Sequence, residues 1–225
     1  MKPIGHALRL FRQNRSLWSY AVVPVIGALI LFIAVYMLGL LIAVPLFGSL
    51  TERWGWGDMV GQFGGAVLVT VVYVLAAGAI VVTLAGLLSG LLWDPLSKRA
   101  EITEFGEAPE AELPVGQRIF DTLVRLVFGG FIALLTLILG WAFFGVVGVL
   151  LTGTLGLIEY TSPAMARRGF LMPKQPSVAF KLKGWPGFLL IAGIVSIVPL
   201  LNVLAMPILV VAATILVRTS EGAPN

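Results

Sequence analysis

WPGFLLIAGIVSIVPLLNVLAMPILVVAATILV, residues 185–217, contains no Asp, Glu, Lys, Arg or His. A single helix needs about 20 apolar residues to cross a hydrocarbon core of about 30 Å. This run is much longer, and it is broken by Pro199-Leu200-Leu201-Asn202 and again by Met206-Pro207. It reads either as one overlong span or as two half-helices folded back at residues 199–202, and that choice sets the topology of the whole chain.

Outside this run the composition is of the same kind. Hydrophobic residues make up 59% of the sequence and charged residues 12%, with a mean hydropathy of +1.01. A soluble domain is nearer half apolar and a quarter charged, so the fold class is all-α integral membrane. There is no cysteine, which excludes disulfides, thiolate metal sites and cysteine nucleophiles. The lone histidine, His6, leaves little for a metal or acid–base centre, and no cofactor is expected. The net charge of +4 and pI of about 9.7 fit basic cytoplasmic loops. They do not suggest nucleic acid, since no basic run is interleaved with exposed aromatics. The first apolar stretch exceeds the h-region of a signal peptide and is expected to stay as the first membrane helix.

Taken in order, residues 1–19 read as an amphipathic helix. Ile4, Ala7, Leu8 and Phe11 share one side, with Lys2, His6, Arg9, Arg12 and Gln13 over the other. Such a helix can lie at the headgroup layer. Residues 20–48 form the first span, with Pro24 in its early turns and Pro45 helping to end it. Residues 48–65 are a connection carrying Trp54 and Trp56, an interfacial pair. Residues 66–93 form the second span, where Gly86 and Gly90 have small-xxx-small spacing, and it is expected to continue as a polar helix to about residue 101. Residues 102–121, with several glutamates, Pro109 and Pro114, read as a solvated loop. Residues 122–158 include a charge-free run from Leu126 to Ile158, rich in glycine, with Gly140-Trp141 near its middle. Residues 159–184 are basic, residues 185–217 are the opening stretch, and residues 218–225 are a tail.

Loop charge decides between topologies. Four single crossings would put the basic 159–184 segment outside, against the positive-inside bias. If both late stretches enter and leave by one face, both termini, the Asp94 region and residues 159–184 are cytoplasmic, and only the 48–65 connection faces out. The expectation is therefore two long transmembrane helices plus two partly penetrating helical hairpins. Arms of roughly 14 to 16 residues reach roughly 21 to 24 Å at 1.5 Å per residue, short of the core. Backbone ending at that depth needs protein cover, which points to a homo-oligomer in the lipid bilayer. Six full spans would give the same sidedness.

No catalytic constellation is present: no nucleophile elbow, no carboxylate pair with a histidine, no phosphate-cradling loop. The chain is read as a non-enzyme. Polar groups are few in the charge-free runs, among them Thr70, Thr83, Ser89, Thr136, Thr152, Ser196, Asn202 and Thr214, and the Thr and Ser hydroxyls are expected mostly to bond back to their own helices. Any translocated charged species must then meet charges at the membrane faces, or a pore assembled between subunits. One candidate is Leu8, Arg9 and Arg12 at the start of the chain, where helix-start N–H groups and guanidinium combine to bind anions. The other is Asp94, Lys98, Arg99 and Glu101 after the second span, whose simplest reading is an anchor with a Lys98/Glu101 pair.

Three segments carry a family resemblance: Asp94-Pro95-Leu96-Ser97-Lys98-Arg99-Ala100-Glu101, Glu159-Tyr160 followed by Arg167-Arg168-Gly169, and Ile197-Val198-Pro199-Leu200-Leu201-Asn202 with Met206-Pro207 and Ala213-Thr214. In this order the chain resembles the CysZ sulfate permease family, whose broader group includes the eukaryotic etoposide-induced endoplasmic-reticulum protein. The resemblance implies sulfate uptake across the bacterial inner membrane for cysteine synthesis, through an oligomer with a narrow pore. It also implies an anion site at a Gly-Leu-Arg turn, matched here by Ala7-Leu8-Arg9, with Ala7 in place of the glycine. The resemblance places Asp94, Lys98, Arg99 and Glu101 in the charge network at the pore, with Lys98 where an acid is usual. A membrane scaffold without transport activity is the competing function.

Overall fold

The computed structural model describes residues 2–88, 93–111, 113–142 and 145–221. These form helices α1 (Lys2–Gln13), α2 (Ser16–Arg53), α3 (Asp58–Leu88), α4 (Asp94–Phe105), α5 (Val115–Ala142), α6 (Val146–Ala166), α7 (Lys174–Ala179), α8 (Trp185–Val195) and α9 (Pro199–Glu221). No strand occurs among the described residues, and four of the helices are long and apolar enough to cross a membrane. The protein is an all-α membrane protein.

The 38 residues of α2 make a rod of about 57 Å, so it overshoots any bilayer core. Pro45 does not end it: both Pro24 and Pro45 lie inside, as membrane helices tolerate. The turn to α3 is only residues 54–57, not the long connection expected, because α3 already starts at Asp58. Gly55 and Gly57 take φ of +78° and +82° there, the left-handed region that glycine enters without strain. Trp54 and Trp56 stand exposed at this tip, edge to face. Behind the tip, Gly61 and Gly65 of α3 let its backbone approach the Phe47 and Ala43 carbonyls of α2. Farther along, Tyr36 and Thr70 hydroxyls lie 2.9 Å apart, and the Tyr73 hydroxyl donates to the Phe32 carbonyl. The Gly86/Gly90 spacing and Ser89 fall partly or wholly outside the described residues.

Both late apolar runs fold back on themselves. Arg125 and Glu159, which bracket the charge-free run of residues 126–158, meet at 2.8 Å, so that run begins and ends at one place. α5 continues through Gly140 and Trp141, and its return begins after Gly145, whose φ is +79°. In the second run, the Lys183 amide donates to the Ser220 hydroxyl at 3.0 Å. Its arms are unequal: α8 has 11 residues and α9 has 23. The break falls at residues 196–198, with Pro199 starting α9, where a missing N–H costs nothing.

The core lies between α6, α8 and α9, with α1 laid across α9. Most of α9's apolar stretch is buried, whereas almost none of α2's is; α2 and α3 present their apolar sides outward, as lipid-facing helices do. The α6–α8 crossing is set by glycine: Gly153 faces the Leu189 carbonyl, and Gly193 the Val149 carbonyl. The hydroxyls behave as expected, with Thr70, Thr83, Thr136, Thr152, Ser196 and Thr214 each donating to a carbonyl four residues back. Asn202 accepts from the Tyr160 hydroxyl at 2.9 Å.

Three sequence expectations change here. In α1 the buried face is Ala7, Leu10 and Phe11, and Leu8 points out. Residues 102–121 are not one solvated loop: α4 runs to Phe105, Gly106 ends it with φ of +82°, and α5 begins at Val115 with Asp121 already buried. Residues 159–184 are not an open basic segment either, because α6 continues to Ala166 and Arg167 is buried.

Candidate functional site

Charge gathers in two buried networks and one exposed face. On α4, Asp94, Ser97 and Glu101 sit at i, i+3 and i+7, one side of a helix. Arg167, just past α6, reaches all three. Its Nη1 donates to the Asp94 carboxylate, and its Nη2 to Ser97 Oγ at 2.9 Å and to Glu101 Oε2 at 2.8 Å. Arg168 takes the other Glu101 oxygen and also bonds Glu221 at the end of α9. Glu101 is fully buried, and two guanidiniums compensate it. The N-terminus of α4, the end of α6 and the end of α9 are thus tied at one point.

The second network centres on Arg125. Its Nε donates to Asp121 Oδ2 at 2.6 Å, Nη1 to Glu159 Oε2 at 2.8 Å and Nη2 to Gln175 Oε1 at 2.6 Å. Asp121 also accepts the Met172 amide at 2.7 Å. Burying an unpaired ion costs several kcal/mol; here every arm of the guanidinium has an acceptor, and α5, α6 and α7 are fixed to one another. Between the two networks lies a cavity of about 460 Å³, reached by Asp94 and Arg167 on one side and by Asp121 and Arg125 on the other.

The exposed face belongs to α1. Leu8, Arg9 and Arg12, with Gly5 and Gln13, border a recess of about 500 Å³. The opposite side of α1 is anchored by Ala7, Leu10 and Phe11, and by His6, whose Nε2 lies 2.6 Å from Glu104 on α4. Leu8 and Arg9 sit in mid-helix, where backbone N–H groups are spent on the helix. This recess therefore presents guanidinium groups and not backbone amides: Ala7, Leu8 and Arg9 are helical where the resemblance implied a turn.

Of the second predicted group, Asp94 and Glu101 are brought together through Arg167, while Lys98 and Arg99 are not. Lys98 pairs with Glu110 at 2.8 Å instead of Glu101, and the Lys98 hydrogen bond and charge hold the Glu110 carboxyl below its ordinary range. Arg99 is exposed. Sequence reasoning missed Arg125, Asp121, Glu159 and Gln175 as a unit, and Arg167 and Arg168 as the partners of Glu101. The available signal was positional: Arg125 and Glu159 are the first charges on either side of a 33-residue hairpin run, residues 126–158.

The family model described as "Sulfate transporter CysZ/Etoposide-induced protein 2.4" matches residues 4–207, which takes in the α1 face and both buried networks except Glu221. No curated protein and no solved structure matches the chain.

Proposed function

Because the chain belongs to the sulfate transporter CysZ/etoposide-induced protein family, we propose that it is a permease for sulfate or a chemically similar oxyanion. On this reading it works in the bacterial inner membrane, with both termini cytoplasmic, as a homo-oligomer. The observation that carries the proposal is the α1 recess, where Arg9 and Arg12 stand out beside exposed Leu8 on a helix locked down by its buried side. A guanidinium fork matches a tetrahedral oxyanion in charge and geometry, and a fixed helix presents it without an ordering cost at each encounter. Lys98 and Arg99 add positive charge on α4, and with Asp94 and Glu101 they are the charges we assign to the pore.

Labelled-sulfate uptake into proteoliposomes tests the assignment. Losing a charge-assisted hydrogen bond costs about 1.5–3 kcal/mol, or roughly ten- to a hundredfold in affinity. Arg9→Ala is expected to lower uptake at limiting sulfate by that order, with Arg12→Ala smaller in effect. Uptake no greater than in empty vesicles, or identical in Arg9→Ala, would overturn the proposal. One observation favours a scaffold instead: Arg125 and Arg167 are buried and each is paired with two carboxylates, as structural charges are. Absence of flux together with a stoichiometric cross-linked foreign protein would select that reading.

A further inference from the structure

The cavity between the two buried networks is not used by the α1 recess or by the charges assigned to the pore beyond Asp94. Its wall is made by the first turns of α5, the end of α6 and the loop around Glu110 and Leu113. Among the described residues its ionisable lining is balanced: Arg118, Arg125 and Arg167 against Asp94, Glu110 and Asp121. Arg125 and Arg167 are already committed to carboxylates. Arg118 is exposed on the first turn of α5; its charge acts on Glu110, but its guanidinium makes no hydrogen bond or ion pair among the described residues. Asp94 meets Arg167 through Oδ1, and Glu110 meets Lys98 through Oε2, leaving each carboxylate a second oxygen as acceptor.

The cavity also opens onto apolar surface. Val115, Ile119 and Leu123 line it at i, i+4 and i+8, and all three are exposed. The same exposed side of α5 continues through Val127, Phe131, Leu134 and Ile138. In a membrane protein such a side lies against acyl chains. A charge-balanced cavity with one uncommitted guanidinium, spare carboxylate oxygens and a greasy track leading away matches the order of groups in a zwitterionic lipid.

We propose that this cavity is a headgroup site for a phospholipid bearing a primary amine, of the phosphatidylethanolamine class. Arg118 takes the phosphate, Asp94 and Glu110 take the ammonium, and an acyl chain follows the Ile119–Leu123 side of α5. A quaternary ammonium is recognised by aromatic rings, and no aromatic residue among the described residues lines the cavity, so a choline headgroup finds no cage there. An ammonium with three N–H donors has acceptors to meet. An anionic lipid without an amine, such as phosphatidylglycerol, brings no ammonium and faces three carboxylates. The site does not depend on whether the protein moves anions.

Native mass spectrometry of the delipidated full-length protein, titrated separately with dioleoyl-phosphatidylethanolamine, -phosphatidylcholine and -phosphatidylglycerol, tests this. The ethanolamine lipid is expected to be retained at least fivefold better than the other two. Arg118→Ala and Leu113→Trp, the second filling the cavity from a loop, are each expected to reduce that retention at least fivefold with the lipid-free melting temperature unchanged. Equal retention of all three lipids, or retention unaffected by both variants, would overturn the proposal. So would soluble phosphoethanolamine binding as tightly as the lipid, since the acyl track would then contribute nothing.

Discussion

Arg125 is the side chain whose removal tests the fold most severely. It is buried against two carboxylates and an amide carbonyl, and Arg125→Leu strands Asp121 and Glu159 without a counter-charge. Removing one partner of a buried pair costs about 3–5 kcal/mol, and the melting temperature in detergent is expected to fall accordingly. Glu159→Gln, which keeps an acceptor for Nη1 and leaves Asp121 as counter-charge, is expected to cost less. Lys98→Ala removes a pair whose members are half-exposed and exposed, and such pairs contribute little; its melting temperature is expected to match the parent. A parent-like Arg125→Leu would mean the network stabilises nothing. Part of this network is implicit in the sequence. Asp121 and Arg125 are i,i+4 partners, and Arg125 and Glu159 must approach if residues 126–158 double back. Gln175 carries no such signal, since its meeting with Arg125 depends on how the chain turns after α6.

At the scale of helices, the crossing of α6 and α8 depends on two positions without side chains. A Cβ at Gly193 would overlap the Val149 carbonyl oxygen, and one at Gly153 the Leu189 carbonyl oxygen; both obstacles are backbone, so the helices must part. Gly193→Ala is expected to destabilise by about 1–3 kcal/mol, the ordinary cost of overpacking. Gly130→Ala in α5, whose Cβ would meet nothing within 4 Å, is expected to leave the melting temperature unchanged or raise it. Equal effects from the two would remove the packing argument. The helices themselves were legible from hydropathy and helix breakers, but their faces and ends less so. A 3.6-residue period through Ile4, Ala7 and Phe11 admits either Leu8 or Leu10 at the margin of the stripe, and only the packing of α1 on α9 selects Leu10. Pro45 reads as a terminator in water, yet α2 continues past it, as proline-containing membrane helices can.

For the molecule as a whole, the contacts separate the two ends. His6 with Glu104, Arg168 with Glu221, and Arg218 with Glu107 collect α1, α4, the end of α6 and the end of α9 at one end. Arg125–Glu159 and Lys183–Ser220 close the two hairpins. The Trp54–Trp56 tip lies at the far end of α2, a helix of 38 residues and about 57 Å. Since the chain has no native cysteine, single cysteines can report on sidedness with a membrane-impermeant maleimide. Ser177→Cys and Asp58→Cys are expected to label from opposite faces, and labelling from one face would contradict the end-to-end separation. Neither of those positions distinguishes shallow hairpins from full spans, but Val198 does. It is exposed at the break between α8 and α9, and the 11 residues of α8 rise only about 16 Å. That is roughly half of a 30 Å hydrocarbon core, so a hairpin that rises no farther than α8 keeps its tip inside the membrane. Val198→Cys is therefore expected to react from neither face in intact vesicles and to become reactive after detergent solubilisation. Reaction from the face that labels Asp58→Cys would mean that the second hairpin crosses the membrane completely, as the six-span alternative requires.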